Sequence, residues 1–211
     1  EVISDSKMFR VLSIVNLLTV AVTCTQLLPL KYHLRLHTDI HEGNLNFSAC
    51  AKIQFKVLED AVAIIELNSV NLVFDGEVIL RNESDKIIDS NVLNFDSKEE
   101  ELLTFRMREN VTLEKDKNYE IEVKFYGILA SNLTGFYEPD NHYAFISFQT
   151  VRFRTICPSF DEFHVRTKFQ IEVEHHKSYQ AISDAEIESS SEDETYKWTK
   201  FKETPALPPT S

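Results

Sequence analysis

Two histidines near the start of the chain have the spacing of a zinc-binding pair. His37 and His41 stand four residues apart in the segment HTDIH. On a helix this spacing brings two imidazoles to one face, and zinc proteases add a glutamate, in H-E-x-x-H, that acts on the zinc-bound water. Thr38 stands where that glutamate is required, and the approach to His37 alternates like a strand. We therefore expect no metal site here, and we expect His33 and His37 to be surface histidines.

The other residues that could do chemistry have no suitable partners in the sequence. His175 and His176 are neighbours, so a strand would point their rings to opposite faces. Cys157 would need a low thiol pKa to act as a nucleophile, and no particular histidine is placed to lower it. The G-x-S-x-G turn of hydrolases and the phosphate-binding glycine loop are absent. A cysteine-dependent hydrolase stays as an alternative that nothing in the sequence supports, and no catalytic residue is assigned.

The first 24 residues have the features of a secretory signal peptide. The apolar run 11–22 follows Arg10 and precedes the small residues Thr23 and Cys24. It is shorter than the roughly 20 residues that a membrane-spanning helix needs, although a buried core helix is the alternative. We predict that residues 1–24 are upstream residues and a cleavable signal helix. The mature domain is then 25–211, in which Cys50 and Cys157 could pair or could be two buried thiols.

Four Asn-x-Ser/Thr sequons follow the apolar run, and none has a central proline. Chance supplies single sequons, but four of them behind an export signal support one another. They predict an extracellular or outer-cell-surface glycoprotein whose acceptor asparagines are exposed. Those asparagines are Asn46, Asn82, Asn110 and Asn132. The net charge of −12 argues against nucleic-acid partners and against anionic membrane surfaces.

Apolar and polar residues alternate along much of the mature chain. This period of two is typical of half-buried β-strands, and no segment has a convincing helical stripe. Many strands at short spacing predict an all-β fold, a mostly antiparallel, multi-stranded β-sandwich or curved sheet within one domain. The predicted strands lie at 30–36, 45–57, 62–67, 70–74, 119–125 and 165–173.

Two segments near the end of the chain have a different composition. Residues 185–195 are acidic and serine-rich, which favours a solvated surface loop over a regulatory phosphorylation cluster. Residues 205–211 are proline-rich and unsuited to a central strand.

A series of short motifs also carries a resemblance to a known family. They are LLPLKYHLRLHTDI from Leu27, the stretch 113–127, Gly135-Phe136-Tyr137, the segment from Phe148 to Phe169, the stretch 181–184, and Trp198 to Phe201 with Thr204-Pro205. In order and spacing they resemble the N-terminal domain of the zinc aminopeptidase N family, with the last of them similar to a turn before that domain's closing strand.

The resemblance implies a saddle-shaped β domain that packs against a thermolysin-like catalytic domain. In the family that second domain supplies the Gly-x-Met-Glu-Asn exopeptidase motif and the zinc helix, and this chain contains neither motif. No cofactor is therefore expected in this chain, while zinc is expected in the full-length family. The implied partners are a zinc catalytic domain and the N-termini of peptides.

One substrate-binding residue is implied by the resemblance. The family's N-terminal domain lends a Glu or Gln that grips the free amino group of the substrate, and Gln149 falls at that place. An amide accepts from an ammonium without the charge assistance of a carboxylate. The surrounding signature departs from the family at Ser147, Arg152, Ser159 and Phe163, and a surface amide is the alternative for Gln149. Asp161 and Glu162 match the family as structural residues.

Two functions stay open from the sequence. The first is the substrate-anchoring N-terminal domain of a secreted or cell-surface zinc aminopeptidase, which releases N-terminal residues from peptides and is expected to be inactive without its zinc domain. The second is a short, non-enzymatic secreted paralogue that binds an unknown extracellular protein.

Overall fold

The computed structural model describes residues 26–74, 78–89, 93–97, 101–109, 111–129, 135–138, 143–146, 153–160 and 165–207. The predicted signal segment 1–24 and the residues Asn110, Asn132 and Gln149 lie outside this part of the chain. Its fourteen strands are β1 (Leu27–Thr38), β2 (Asn46–Val57), β3 (Ile64–Asn68), β4 (Val73–Phe74), β5 (Ile79–Asn82), β6 (Ile87–Asp89), β7 (Leu93–Ser97), β8 (Leu102–Arg106), β9 (Asn118–Ile128), β10 (Gly135–Glu138), β11 (Tyr143–Ile146), β12 (Lys168–His176), β13 (Ile187–Glu192) and β14 (Tyr196–Phe201). A single-turn 3₁₀ helix, Ile40–Glu42, follows β1. The predicted all-β class is confirmed.

Most of the strands belong to one large sheet. Its order is β13-β14-β12-β1-β2-β9-β5-β6, and β4 pairs separately with β9. Strands β1 and β12 are parallel, and the other described pairs in this sheet are antiparallel. A three-stranded sheet, β3-β8-β7, and the pair β10-β11 are separate from it. The prediction of a mostly antiparallel arrangement agrees with these pairings.

The alternating pattern of the three central strands explains how the large sheet buries one face. Leu34 of β1, Ala51 of β2 and Val123 of β9 are cross-strand neighbours, and all three are buried. Residues two positions away on each strand continue the same inner face. Each large apolar side chain buried there contributes about 1.5–3 kcal/mol. The opposite, outer face of these strands is polar except at the end of β9, where Tyr126 and Ile128 are exposed.

A second layer covers the inner face. Ile65 and Leu67 of β3 and Leu103 and Phe105 of β8 are fully buried, and they belong to the same core as the large sheet. Because both sheets share one core, the fold has the two-layer character of the predicted sandwich.

The observed strands differ from the predicted ones most clearly at three places. A β-bulge between Pro29 and Lys31 interrupts β1, so Leu30 is out of step with the buried residues that follow it. Proline has no N–H for a ladder, which suits a bulge. Of the predicted strand 70–74, two residues form β4. The predicted strand 165–173 is displaced, because β12 begins at Lys168 and ends at His176.

Two predictions near the C-terminal end were wrong. The segment 185–195 was expected to be a loop, yet it contains β13, whose six residues are all exposed. Trp198 to Phe201 was expected to be a turn, yet it lies in β14, between β12 and β13. Backbone pairing with a neighbouring strand decides both cases, because neither stretch has a simple apolar stripe.

The two described cysteines are not joined by a disulfide. Cys50 is half-buried on the outer face of β2, with its sulfur 3.8 Å from a carboxylate oxygen of Glu122. Cys157 is fully buried in the core, on the inner side of the sheet. The large sheet therefore separates the two thiols.

Candidate functional site

The segment that follows Gln149 is a buried platform. Gln149, Ser147, Arg152, Asp161, Glu162 and Phe163 lie outside the described residues, but residues 153–160 are described. Five of them, Phe153, Ile156, Cys157, Pro158 and Ser159, are buried. We call the stretch 153–160 the platform segment. Cys157 and Phe153 are tied by a backbone hydrogen bond of 2.8 Å, which closes a tight turn.

Aromatic rings fix this platform segment to the large sheet. The ring of Phe153 meets those of Tyr32 on β1 and Phe169 on β12 edge-on, with centroids 5.4 and 5.3 Å apart. Tyr32 and Phe169 stack on each other at 5.4 Å, as expected for neighbours in the parallel pair. Such aromatic pairs add about 0.5–1.5 kcal/mol each beyond the area they bury. The Phe160 N–H donates to the Tyr32 hydroxyl at 2.9 Å.

Polar links fix the other side of the platform segment. The backbones of Asn68 and Ser159 exchange two hydrogen bonds, of 2.7 and 3.0 Å. Arg154 accepts the N–H of Val70 through its carbonyl and forms an ion pair of 3.0 Å with Glu101. The platform segment is therefore held by contacts from both layers.

The histidines with zinc-like spacing lie at one corner of the large sheet. His37 is on the outer face of β1, and its Nδ1 lies 2.6 Å from a carboxylate oxygen of Glu174. Its Nε2 lies 3.2 Å from a carboxylate oxygen of Asp39. The Tyr196 hydroxyl donates to the second oxygen of Asp39 at 2.7 Å and holds the pKa of that carboxyl below its ordinary value. Asp39 reciprocally raises the pKa of Tyr196 to about 12.

His41 occupies the 3₁₀ helix and takes part in a different contact. Its ring stacks on that of His176 with centroids 4.3 Å apart and an angle of 15° between the ring planes. Tyr196 meets both imidazoles edge-on. His175 points the other way, is buried, and lies 3.1 Å from the Thr199 hydroxyl. The expectation that His175 and His176 point to opposite faces is therefore confirmed.

This corner does not fit a zinc ion. Both ring nitrogens of His37 are engaged by carboxylates, and His41 faces the ring of His176. In the described ranges no three His, Cys, Asp or Glu residues are grouped so that they could hold a metal. His33 and His37, which were expected to be plain surface histidines, are half-buried and paired with Glu172 and Glu174. These contacts connect β1 to β12.

Cys157 does not fit a nucleophile. Burial raises the pKa of its thiol far above the ordinary value, because the apolar core disfavours a thiolate. Its S–H donates a hydrogen bond of 3.4 Å to the Pro158 carbonyl oxygen. A cysteine-dependent hydrolase is therefore unsupported by the geometry as well as by the sequence.

The described sequon asparagines differ in exposure. Asn46 is exposed at the start of β2. The prediction that the acceptor asparagines are exposed was wrong for Asn82, which is half-buried at the end of β5 because its side-chain oxygen accepts the N–H groups of Ser84 and Lys86, both at 3.0 Å. N-glycosylation uses the amide nitrogen, so the Asn82 turn is compatible with a glycan. The glycosylation of both residues stays a prediction.

With this geometry in place, comparison with known proteins decides the family. The model of the Peptidase M1 N-terminal domain matches residues 28–210, which include every described strand except the first residue of β1. The chain belongs to this family. A similar curated protein is aminopeptidase 2, mitochondrial, of Saccharomyces cerevisiae, which is 24% identical over 188 residues. The match covers 85% of this chain and 19% of that protein, so the chain spans about a fifth of the length of its relative.

The platform segment lies within the residues that match the M1 N-terminal domain. The resemblance seen in the sequence is confirmed as a family relationship, and its most specific stretch contains the platform segment, 153–160, with its five buried residues. Sequence reasoning did not find the His37–Asp39–Tyr196 contacts, since Tyr196 is 157 residues away from Asp39. In the part of the chain that the structure describes, no helix is long and apolar enough to cross a membrane.

Proposed function

We propose that this chain is the substrate-anchoring N-terminal domain of a zinc aminopeptidase, and that the chemistry is carried out by a separate zinc domain. The observation that carries this proposal is the family match over 28–210 in a chain with no H-E-x-x-H sequence. The platform segment supports it, because a domain that positions one side chain for a neighbouring active site needs a rigid mount. Gln149, just before the platform segment, is the proposed ligand of the substrate's amino group.

We also propose that the protein is exported and works outside the cell. The apolar run 11–22 and the four sequons support this location. The exposed position of Asn46 suits an acceptor asparagine. The substrates would then be extracellular peptides with a free N-terminus.

The first test is hydrolysis of amino-acid arylamides by the purified chain with zinc present. We expect no activity, because the residues described do not form a zinc site. Activity that a chelator abolishes would contradict the proposal, since it would require a zinc site within this chain.

Sequencing the natural transcript beyond Ser211 is the companion measurement. A continuation into an H-E-x-x-H sequence is expected, and a stop codon directly after Ser211 would instead favour a non-enzymatic binding protein.

The role of Gln149 is tested in a longer protein that joins this chain to a zinc domain. Gln149→Ala should lower kcat/KM by about tenfold or more, because a hydrogen bond to a charged group contributes about 1.5–3 kcal/mol. Gln149→Glu should lower KM, since a carboxylate adds charge assistance. Gln54→Ala is the matched control, because Gln54 is an exposed amide that bonds Glu120 at 2.9 Å on the outer face. Equal kinetics for the Ala variant and the unchanged protein would refute the role.

A further inference from the structure

An exposed apolar patch lies at one end of β9, on the otherwise polar outer face of the large sheet. Its members are Val73, Tyr126 and Ile128, with 58%, 39% and 63% of their surfaces exposed. We call these three residues the β9 patch. Elsewhere the outer face carries paired charges, such as Arg81 with Glu122 at 2.6 Å. Three large apolar side chains grouped on such a face form a surface to which another molecule or group can bind.

Strand register places a sequon beside the β9 patch. Asn46 is the direct cross-strand partner of Ile128, and Ser48 is the partner of Tyr126. Val73 pairs with Tyr126 from the opposite side. Direct partners on antiparallel strands have Cβ atoms about 4.5–5.5 Å apart and point to the same face. The two functional residues of the sequon Asn46-Phe47-Ser48 therefore border the patch, while Phe47 is buried on the inner face.

The chemistry of an N-glycan suits this neighbourhood. The first sugar is attached through the amide nitrogen of Asn46, which is exposed, and the contact with Asn44 uses the Asn46 backbone N–H. Pyranose rings have faces rich in C–H groups, and these groups pack on aliphatic side chains and on the negative face of a tyrosine ring. A glycan that starts one strand away reaches the whole patch.

We propose that the core sugars of an N-glycan on Asn46 lie over Val73, Tyr126 and Ile128 and cover the β9 patch. This inference rests on the proposed export, which exposes the sequon to glycosylation. The glycan would act as a built-in surface cover that prevents the patch from binding other apolar surfaces. Asn82 does not have this role, because it pairs with Tyr119 at the other end of β9.

The test uses the full chain secreted from a glycosylating host, with Asn46→Gln and Asn82→Gln as matched variants. Glycopeptide mass spectrometry gives the occupancy of Asn46. Hydroxyl-radical footprinting then measures the oxidation of Tyr126, and fluorescence of an apolar dye measures exposed patches. We expect an occupied Asn46, severalfold more oxidation of Tyr126 and stronger dye binding in Asn46→Gln, and neither change in Asn82→Gln. Trimming the Asn46 glycan to its first sugar should retain part of the protection.

A second variant shows whether the added dye binding comes from the uncovered β9 patch or from unfolding of the protein. Ile128→Thr in the Asn46→Gln background should remove much of the added dye binding, because it deletes the most exposed member of the patch. An unoccupied Asn46 in the secreted protein would overturn the proposal. So would equal Tyr126 oxidation with and without the glycan, or a glycosylated dimer that Ile128→Thr dissociates. None of these readouts involves peptide hydrolysis, so their failure leaves the proposed aminopeptidase role untouched.

Discussion

The hydroxyl of Tyr32 accepts a hydrogen bond of 2.9 Å from the backbone N–H of Phe160, across 128 residues of sequence. Tyr32 stands in the first strand, and Phe160 ends the platform segment. Two of the motifs that resemble the M1 family are thus bonded to each other in the fold. The first strand therefore holds the C-terminal end of the platform segment.

Removing this contact should loosen the platform segment. Tyr32→Phe deletes the acceptor and leaves a partly buried N–H without it, at a cost of about 1–3 kcal/mol in the free energy of unfolding. Urea unfolding measures that cost, and hydrogen exchange at the Phe160 amide measures the local effect. We expect faster exchange at Phe160 while the aromatic stack with Phe169 stays in place.

The control for this variant is Tyr119→Phe, which deletes the same hydroxyl elsewhere. The Tyr119 hydroxyl, at the start of β9, accepts the N–H of Glu114 at 3.0 Å. Its loss should lower stability without speeding exchange at Phe160. Unchanged exchange at Phe160 in Tyr32→Phe would show that other contacts hold the platform segment.

The long central strands could be predicted because buried and exposed side chains alternate along each of them. Strands β1, β2 and β9 have one face in the core and one in water. The period-two alternation of apolar and polar residues therefore indicates directly which side chains are buried. The bulge between Pro29 and Lys31 was not predicted from this pattern. A bulge inserts one extra residue into a strand, and that residue can be apolar or polar, so the sequence does not mark it.

The peripheral strands could not be predicted from the same signal. All six residues of β13 are exposed, so no apolar row marks it, and its pairing with β14 alone makes it a strand. Strands β5 and β6 have four and three residues, too few for alternation to stand out. Burial in these places depends on which strand lies beside which, and that is a property of the whole fold.

Of the candidate site, only the family relationship was predicted, from motifs such as 148–169 whose residues lie close together in sequence. The burial of residues 153–160 was not predicted, because it depends on contacts with distant strands. The corner with His37 depends on Glu174 and Tyr196, which reach it through strand pairing over more than a hundred residues. No spacing rule connects such residues, so the contacts of the His37 imidazole could not be predicted from the sequence.

Gly127 should not tolerate a side chain. A Cβ at this position would lie 2.7 Å from the Phe47 ring and 2.9 Å from the Leu72 side chain, closer than atoms pack. Both neighbours are buried, so Gly127→Ala should destabilise the fold by about 1–3 kcal/mol through overpacking. Thermal and urea unfolding measure the loss. Adding Phe47→Leu should reverse only part of it, because the Leu72 contact remains.

Gly43 offers the contrasting control for that prediction. It has φ +73° after the 3₁₀ helix, and nothing lies within 4 Å of an added Cβ. Gly43→Ala should therefore cost about 1–2 kcal/mol through backbone strain alone, and Gly43→Asn should cost less, since asparagine tolerates this conformation. If Gly127→Ala were as stable as the unchanged protein, the close packing of Phe47 would be disproved.

The Asp39–Tyr196 hydrogen bond should make both groups titrate abnormally. The pKa of Asp39 is lowered by this bond, so its contribution to stability is present above the ordinary value of about 3.9 and is lost as the pH falls through the lower folded value. The pKa of Tyr196 is raised to about 12, so its contribution is present below about 10 and is lost as the pH rises through about 12.

Single substitutions check this titration. In Tyr196→Phe, the carboxyl resonance of Asp39 should titrate nearer its ordinary pKa, because its largest lowering contact has gone. In Asp39→Asn, ultraviolet absorbance should show a phenolate that forms at lower pH. Tyr179→Phe is the control, since it removes a tyrosine that does not bond Asp39. An unaltered Asp39 titration in Tyr196→Phe would contradict the assigned contact.

The two described thiols should differ in reactivity and should both be free. Burial and the nearby Glu122 carboxylate raise the pKa of Cys50, and burial raises that of Cys157 much further. Iodoacetamide should therefore modify native Cys50 slowly and Cys157 more slowly still, because the thiolate is the reacting form. Glu122→Gln should speed the modification of Cys50 alone. Peptide mass spectrometry separates the two sites, and alkylation in denaturant without reductant should label both. Protection of both under those conditions would reveal a Cys50–Cys157 disulfide, which would require the chain to bring together thiols that the large sheet keeps apart.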